Sequence, residues 1–168
     1  MTFGNAATDL GIRGDWDGDG RADVAVYRTN SGAPANTFFV LRSSDGGVQA
    51  ATFGIFTSDY VLPADFDGDG KTDYAVWRGF GAGTPGTWYW LQSSDGGFRV
   101  LNFGTGGVFG TGDQPVPGDY DGDGKTDQAV WRPGPPSTFY VNRSMLGFTG
   151  FGFGLSTDVP PAFSLQAR

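Results

Sequence analysis

The feature that most constrains this chain is a repeat of fifty residues. Phe-Gly recurs at positions 3–4, 53–54, 103–104 and 153–154. One acidic nonapeptide lies inside each full interval: DWDGDGRAD at 15–23, DFDGDGKTD at 65–73 and DYDGDGKTD at 119–127. A period of about 20–50 residues is typical of architectures in which one supersecondary unit is copied and stacked. The spacing therefore predicts a single repeat domain over 1–168, with units at 2–51, 52–101 and 102–151 and a partial closing unit at 152–168.

Each unit is expected to contain four short β-strands. In the second unit the aromatic and β-branched runs predict strands at 60–64, 74–78, 87–92 and 98–103, and SSDGG at 93–97 predicts a hairpin turn. No segment shows the apolar period of a helix. Four short antiparallel strands form the sheet of a propeller blade, so we expect an all-β chain with about three tandem blades of a β-propeller. The alternative is a repetitive β-sandwich, which has no need of strict internal repetition.

The nonapeptides have the pattern of cation-binding loops. Asp occupies positions 1, 3, 5 and 9 of each loop, and Gly occupies positions 4 and 6. Calcium takes about 6–8 oxygen ligands, and alternate carboxylates in a tightly curled loop converge on one point. Position 7 can offer its backbone carbonyl, position 9 can bind with both oxygens, and the glycine at position 6 permits the turn. Magnesium fits less well because it keeps several waters and few carboxylates.

Composition excludes several functional classes. The chain has no histidine and no cysteine, which removes Ser/His/Asp and Cys/His catalysis and all disulfide chemistry. All 18 acidic residues are Asp and most lie in the three loops, so the net charge of −7 belongs mainly to the loops. The absence of a basic patch argues against nucleic acid as a partner. No apolar run approaches the roughly 20 residues that cross a membrane.

The loops, the preceding Phe-Gly and the following AVYR or AVWR together resemble the FG-GAP/VCBS repeat family over essentially the whole chain. The resemblance implies one propeller blade per repeat, a calcium ion in the loop between the first two strands (about three per chain), and an extracellular or cell-surface location. The Gly-Ala-Pro expected after the loop is replaced by Val-Tyr-Arg or Val-Trp-Arg, which favours the bacterial VCBS-like branch over an integrin-like one. The ligands carried over are Asp15, Asp17, Asp19, Arg21, Asp23, Asp65, Asp67, Asp69, Lys71, Asp73, Asp119, Asp121, Asp123, Lys125 and Asp127.

Many aromatic residues recur in register, and two interpretations are open for them. They can stack on sugar rings, or they can pack blade against blade; packing is favoured for the equivalent sets Tyr27, Trp77, Trp131 and Phe38, Trp88, Phe139. Trp90 and Phe109 break the repeat and are therefore better candidates for a unique ligand site. An arginine follows the first ring in every unit. We expect Arg28, Arg78 and Arg132 to make scaffold contacts, such as ion pairs with Asp9, Asp59 and Asp113.

Three blades are too few for a closed propeller, which typically has about four to eight. We therefore expect two or more chains to form one ring, with the strand around Asp158 as a closing strand, or the chain to be part of a longer propeller. The leading functional hypothesis is a non-enzymatic calcium-binding module that binds a surface glycan or protein. The alternatives are a structural module accessory to an absent catalytic domain, and an Asp-dependent polysaccharide hydrolase or lyase.

Overall fold

The computed structural model describes residues 3–5, 9–29, 35–55, 59–79, 81–107 and 112–160. Their strands form three four-stranded antiparallel sheets, which we number sheets 1, 2 and 3 along the chain. Sheet 1 contains β1 (Asp9–Gly14), β2 (Asp23–Arg28), β3 (Thr37–Leu41) and β4 (Val48–Thr52). Sheet 2 contains β5 (Asp59–Val61), β6 (Tyr74–Arg78), β7 (Pro85–Leu91) and β8 (Phe98–Thr105). Sheet 3 contains β9 (Gln114–Pro115), β10 (Gln128–Arg132), β11 (Thr138–Arg143) and β12 (Gly147–Gly152). The predicted all-β class with tandem four-stranded antiparallel blades is confirmed.

Within each sheet the strands follow one another in chain order, so each strand pairs with its sequence neighbour. The acidic nonapeptide joins the first two strands, and a tight turn joins the last two. The limits of three strands in sheet 2 differ from the prediction, and β7 covers Pro85–Leu91 where 87–92 is predicted. β5 ends at Val61, before Pro63, which has no N–H to donate to a ladder. β8 continues to Thr105, where it pairs with Pro85 across an irregularity in the register.

The in-register aromatic residues of sheets 1 and 2 lie between sheets, as the packing interpretation predicts, whereas Trp131 and Phe139 pack in a cluster within the third unit. Tyr27 and Phe38 of sheet 1 meet edge to face, and Phe38 meets Tyr74 of sheet 2 in the same way. Trp77 and Trp88 of sheet 2 are fully buried in a cluster that includes Val130 of sheet 3. Burial of large rings is the main favourable contribution that joins one sheet to the next, since each ring removes a large apolar area from water.

Candidate metal centres

The first carboxylate of each loop shapes the loop backbone. Asp15 accepts the N–H of Gly18 at 2.7 Å through Oδ1 and the N–H of Gly20 at 2.8 Å through Oδ2. Asp65 and Asp119 do the same for their two glycines. Gly20 has a φ of 83°, and its equivalents have similar values, so the expected left-handed turn at position 6 is present in all three loops.

The ninth carboxylate connects the loop to the sheet. Asp23 is buried and accepts two backbone N–H groups at 2.8 Å, one from Trp16 in the loop and one from Ser43 in the β3–β4 turn. Asp73 and Asp127 make the equivalent bonds and are fully buried. Burial raises the pKa of Asp73 to about 6, although the N–H groups of Ser93 and Phe66 act in the opposite direction. A nearby cation would favour the charged form of such a buried carboxylate.

The β3–β4 turn supplies a second layer around the loop that the sequence analysis missed. The hydroxyl of Ser43 donates to Asp19 at 2.8 Å, and that of Ser44 donates to Asp17 at 2.6 Å. Ser93 and Ser94 repeat these bonds in sheet 2. Taken by itself, the SSDGG motif predicts only a hairpin turn. The motif recurs at the same distance from each of the first two loops, and this spacing is the sequence signal that its two serines also bind the loop carboxylates.

Sheet 3 departs from this serine pair. Ser144 donates its hydroxyl to Asp123 at 2.6 Å, but the second serine is replaced by Met145. The N–H groups of Met145 and Leu146 instead donate to Asp121 Oδ2 at 3.1 and 2.9 Å. Asp121 Oδ1 is buried and has no hydrogen-bond partner. A buried carboxylate oxygen without a donor is costly in a protein, which makes it a natural ligand position for a cation.

Three carboxylates converge in each loop. In every group one oxygen from each residue lies within 4.8 Å of the others. Positions 1 and 3 of the loop contribute to all three groups. The third carboxylate comes from position 5 in the first loop and from position 9 in the second and third loops. Arg21, Lys71 and Lys125 occupy position 7, where each backbone N–H donates to the carboxylate at position 5. A cluster of hard carboxylate oxygens fits a divalent cation such as calcium or magnesium. The converging groups are Asp15, Asp17 and Asp19; Asp65, Asp67 and Asp73; and Asp119, Asp121 and Asp127.

Successive loops are connected to one another along the chain. Thr72 N–H donates to the carbonyl of Asp15 at 2.6 Å, and Thr126 N–H donates to the carbonyl of Asp65 at the same distance. The side chain of Lys71 lies over Gly18 of the preceding loop. Lys125 lies over Gly68 in the same way, so a cationic stem from each following unit covers part of the loop before it.

The predicted arginine contacts are confirmed. Arg28 binds Asp9 through Nε at 2.8 Å and through its second nitrogen at 3.0 Å. The pairs Arg78–Asp59 and Arg132–Asp113 have the same two-bond geometry. Each guanidinium also lies 4.5–4.8 Å above an aromatic ring of the adjacent strand. Two-bond pairing with a carboxylate is a strong, directional contact, which supports the expected scaffold role.

Trp90 and Phe109 break the repeat and are the two residues predicted as candidates for a unique ligand site. Trp90 is half-buried and lies 5.6 Å from Phe66 in the cluster between sheets 2 and 3, so its ring packs inside the scaffold. Phe109 lies outside the described residues. None of the described residues form a helix that could cross a bilayer.

Comparison with known proteins gives one positive result. The model of the family described as FG-GAP-like repeat matches residues 15–76 and again 65–130. The matched stretches begin at the first Asp of a loop and run through the following sheet into the next unit. No curated protein and no solved structure matches the chain. Because the two matches together cover more than half of the sequence and the three sheets have the strand order expected of propeller blades, the chain belongs to the FG-GAP-like repeat family.

Proposed function

We propose that this chain is a non-enzymatic, calcium-binding β-propeller module that binds a glycan or protein at an extracellular surface. The observation that carries the proposal is the convergence of three carboxylates in every loop, whose backbone N–H groups donate to the loop carboxylates. These hydrogen bonds to the charged carboxylates offset part of the free-energy cost of bringing like charges together. Calcium is favoured over magnesium because the site offers several carboxylates, whereas magnesium usually keeps most of its waters.

The contacts of the described Asp residues outside the loops support a non-enzymatic role. Asp9, Asp59 and Asp113 each use both oxygens on an arginine. Asp45 and Asp95 pair with Arg42 and Arg99 in the β-turns. Asp158 accepts the N–H of Leu155 in a turn. Glycoside hydrolysis requires one carboxyl group that is available as an acid and a second as a base or nucleophile. The described Asp residues outside the loops are instead committed to scaffold contacts.

Calcium binding is tested by calorimetric titration and by thermal unfolding in calcium, in magnesium and in chelator. We expect calcium to raise the melting temperature by several degrees more than magnesium, because a ligand that binds only the folded state stabilises it. Asp121→Asn removes the loop carboxylate whose Oδ1 has no partner, whereas Asp158→Asn changes an exposed carboxylate outside the loops. The first variant should bind less calcium and the second should not. Identical melting curves in calcium and chelator would contradict the proposal.

We further propose that copies of the chain join into one closed ring. Val24 is 59% exposed, whereas Tyr74 and Gln128, which follow the loops of sheets 2 and 3 in the same way, are 8% and 9% exposed. Tyr74 packs against Trp16 and Phe38 of the preceding unit. At the other end, Tyr120 is 39% exposed, whereas Trp16 at the same loop position is 5% exposed against Tyr74 of sheet 2. The two uncovered surfaces are thus copies of surfaces that contact each other inside the chain. A second copy presents the matching surface to each of them.

A further inference from the structure

A shallow cleft opens at each junction between successive sheets, and no residue of the acidic loops lines it. The first has a volume of ≈ 200 Å³ and lies between Phe53 of sheet 1 and Phe98 of sheet 2. The second has a volume of ≈ 190 Å³ and lies between Phe103 of sheet 2 and Phe148 of sheet 3. Pockets for drug-sized ligands usually span about 300–1,000 Å³, so each cleft suits a smaller group, such as a single ring.

One phenylalanine in each cleft is exposed although its neighbouring sheet is present. Phe98 is 56% exposed and Phe148 is 64% exposed. Phe98 stacks on Tyr89 with ring centroids 6.2 Å apart, and Phe148 stacks on Tyr140 at 6.4 Å. The second ring holds each exposed ring in a fixed orientation. A preceding sheet is already packed at both junctions, so a missing neighbour does not explain the exposure of these two rings.

The polar end of each cleft is formed by the scaffold arginine. The Arg78 side chain is 33% exposed beside the first cleft, and that of Arg132 is 43% exposed beside the second. Their carboxylate partners, Asp59 and Asp113, are almost completely buried and neutralise them. Each cleft therefore offers N–H donors without net charge. This environment favours a neutral, hydroxyl-bearing ligand over an anion, because the positive charge of each arginine is already paired with a buried carboxylate.

Sheet 1 provides a natural comparison. Val48 occupies the register position of Phe98 and Phe148 near the start of the fourth strand. The equivalent cleft beside Phe3 is lined by Asn5, Asp9 and Val26, with no exposed aromatic ring among its described lining residues. The exposed ring is therefore not required by the sheet itself, since sheet 1 forms the same four-stranded order with valine at that position.

We infer that the two inter-sheet clefts are binding sites for neutral pyranose rings, which stack on Phe98 or Phe148 and whose hydroxyl oxygens accept hydrogen bonds from the arginine. The inference rests on the proposed binding function and assigns a ligand class to it. An aromatic ring with an apolar face and a polar neighbour suits a sugar, which has one C–H face and a rim of hydroxyl groups. Two sites on one chain would engage a branched or repeating glycan together, so the apparent affinity should exceed that of one cleft.

The test uses the full chain in calcium on an array of neutral oligosaccharides built from glucose, galactose, mannose and N-acetylglucosamine, with sialylated and sulfated forms alongside. We expect retention on a subset of the neutral glycans, confirmed by calorimetry with the free oligosaccharide. Phe98→Val and Phe148→Val reproduce the valine of sheet 1 and should preserve folding. Each single variant should weaken array binding, and the double variant should weaken it at least tenfold. Val100→Thr, on an exposed residue outside the cleft linings, is the matched control and should bind normally.

The outcomes separate this inference from the proposed function. Loss of binding in the double variant, with an unchanged calcium-dependent rise in melting temperature, supports the sugar sites. Binding that persists in the double variant overturns them, as does a preference for the charged glycans. If no neutral glycan is retained while calcium still stabilises the chain, the sugar sites are wrong and the calcium-binding module stands. If calcium has no effect on stability, the proposed function fails whatever the array shows.

Discussion

Thr72 and Asp15 are 57 positions apart in the chain, yet they form two hydrogen bonds with each other. The N–H of Asp15 donates to the Thr72 hydroxyl at 2.8 Å, and the N–H of Thr72 donates to the carbonyl of Asp15 at 2.6 Å. Asp15 is the first residue of the first loop, and Thr72 is the eighth residue of the second. The link therefore fixes one candidate metal centre against the next, so the loops are coupled through the backbone as well as through the packed sheets.

Thr72→Val tests this link. The substitution keeps the shape of the side chain but leaves the N–H of Asp15 without its acceptor, and Thr72 is buried. We expect the free energy of unfolding to fall by about 1–2 kcal/mol, the usual cost of an unpaired buried donor. Urea denaturation in saturating calcium measures this change. Ala22→Val is the control, because Ala22 occupies the same position in the exposed first loop. Equal stability of Thr72→Val and the unmodified chain would show that the hydroxyl bond contributes nothing.

We predict that the Phe-Gly motif needs glycine for two reasons: the backbone has a positive φ, and neighbouring side chains leave no room for a Cβ. Gly54 has a φ of 92°, and a Cβ there would meet the Tyr27 hydroxyl and would lie 3.1 Å from Val76. Gly46 also has a positive φ, but a Cβ there would meet nothing within 4 Å. Both alanine variants carry the backbone strain of about 1–2 kcal/mol. Gly54→Ala should lose about 1–3 kcal/mol more from overpacking. Equal losses in the two variants, measured by denaturation, would contradict the crowding argument.

The repeated Arg–Asp pair is predicted to stabilise each sheet more than the turn pairs do. Arg78→Ala removes the cationic partner of the buried Asp59 carboxylate, which also accepts the N–H of Ile55. We expect a loss of about 1–3 kcal/mol, at the level of a hydrogen bond to a charged group, because the arginine itself is partly exposed. Arg42→Ala breaks the exposed Arg42–Asp45 pair and should cost less, because water screens an exposed pair. A smaller loss for Arg78→Ala than for Arg42→Ala would reverse the ranking.

Ring closure is predicted to depend on the uncovered surface of sheet 1. In calcium, light scattering should give a discrete multiple of 17.7 kDa for the unmodified chain. Val24→Lys places a charge where Tyr74 is buried in the next unit, and it should shift the mass towards 17.7 kDa without lowering the stability of the single chain. Val100→Lys changes an exposed valine on β8 and should leave the assembly intact. A mass of 17.7 kDa for the unmodified chain in calcium would refute the ring.

The sequence by itself determined the repeat, the four-strand unit and the position of the acidic loops, because these depend on local chemistry. Alternating Asp with Gly at fixed offsets curls a loop wherever it occurs, and SSDGG turns the chain wherever it joins two strands. The pairing of Arg28 with Asp9 was also predictable, since both residues recur with the same separation in every unit. Such regularities can be predicted from one unit alone, because they do not depend on how that unit contacts the next.

Only the tertiary structure decided how the units meet. It placed Ser43 and Ser44 on the loop carboxylates, joined Thr72 to Asp15, and left Asp121 Oδ1 buried without a donor. It also separated two kinds of aromatic residue that look alike in the sequence: Trp88 is buried between sheets, whereas Phe98 on the opposite face of sheet 2 is exposed in a cleft. These distinctions depend on contacts between residues far apart in the chain. Burial and hydrogen-bond satisfaction are set by those contacts, and the residue type alone does not fix them.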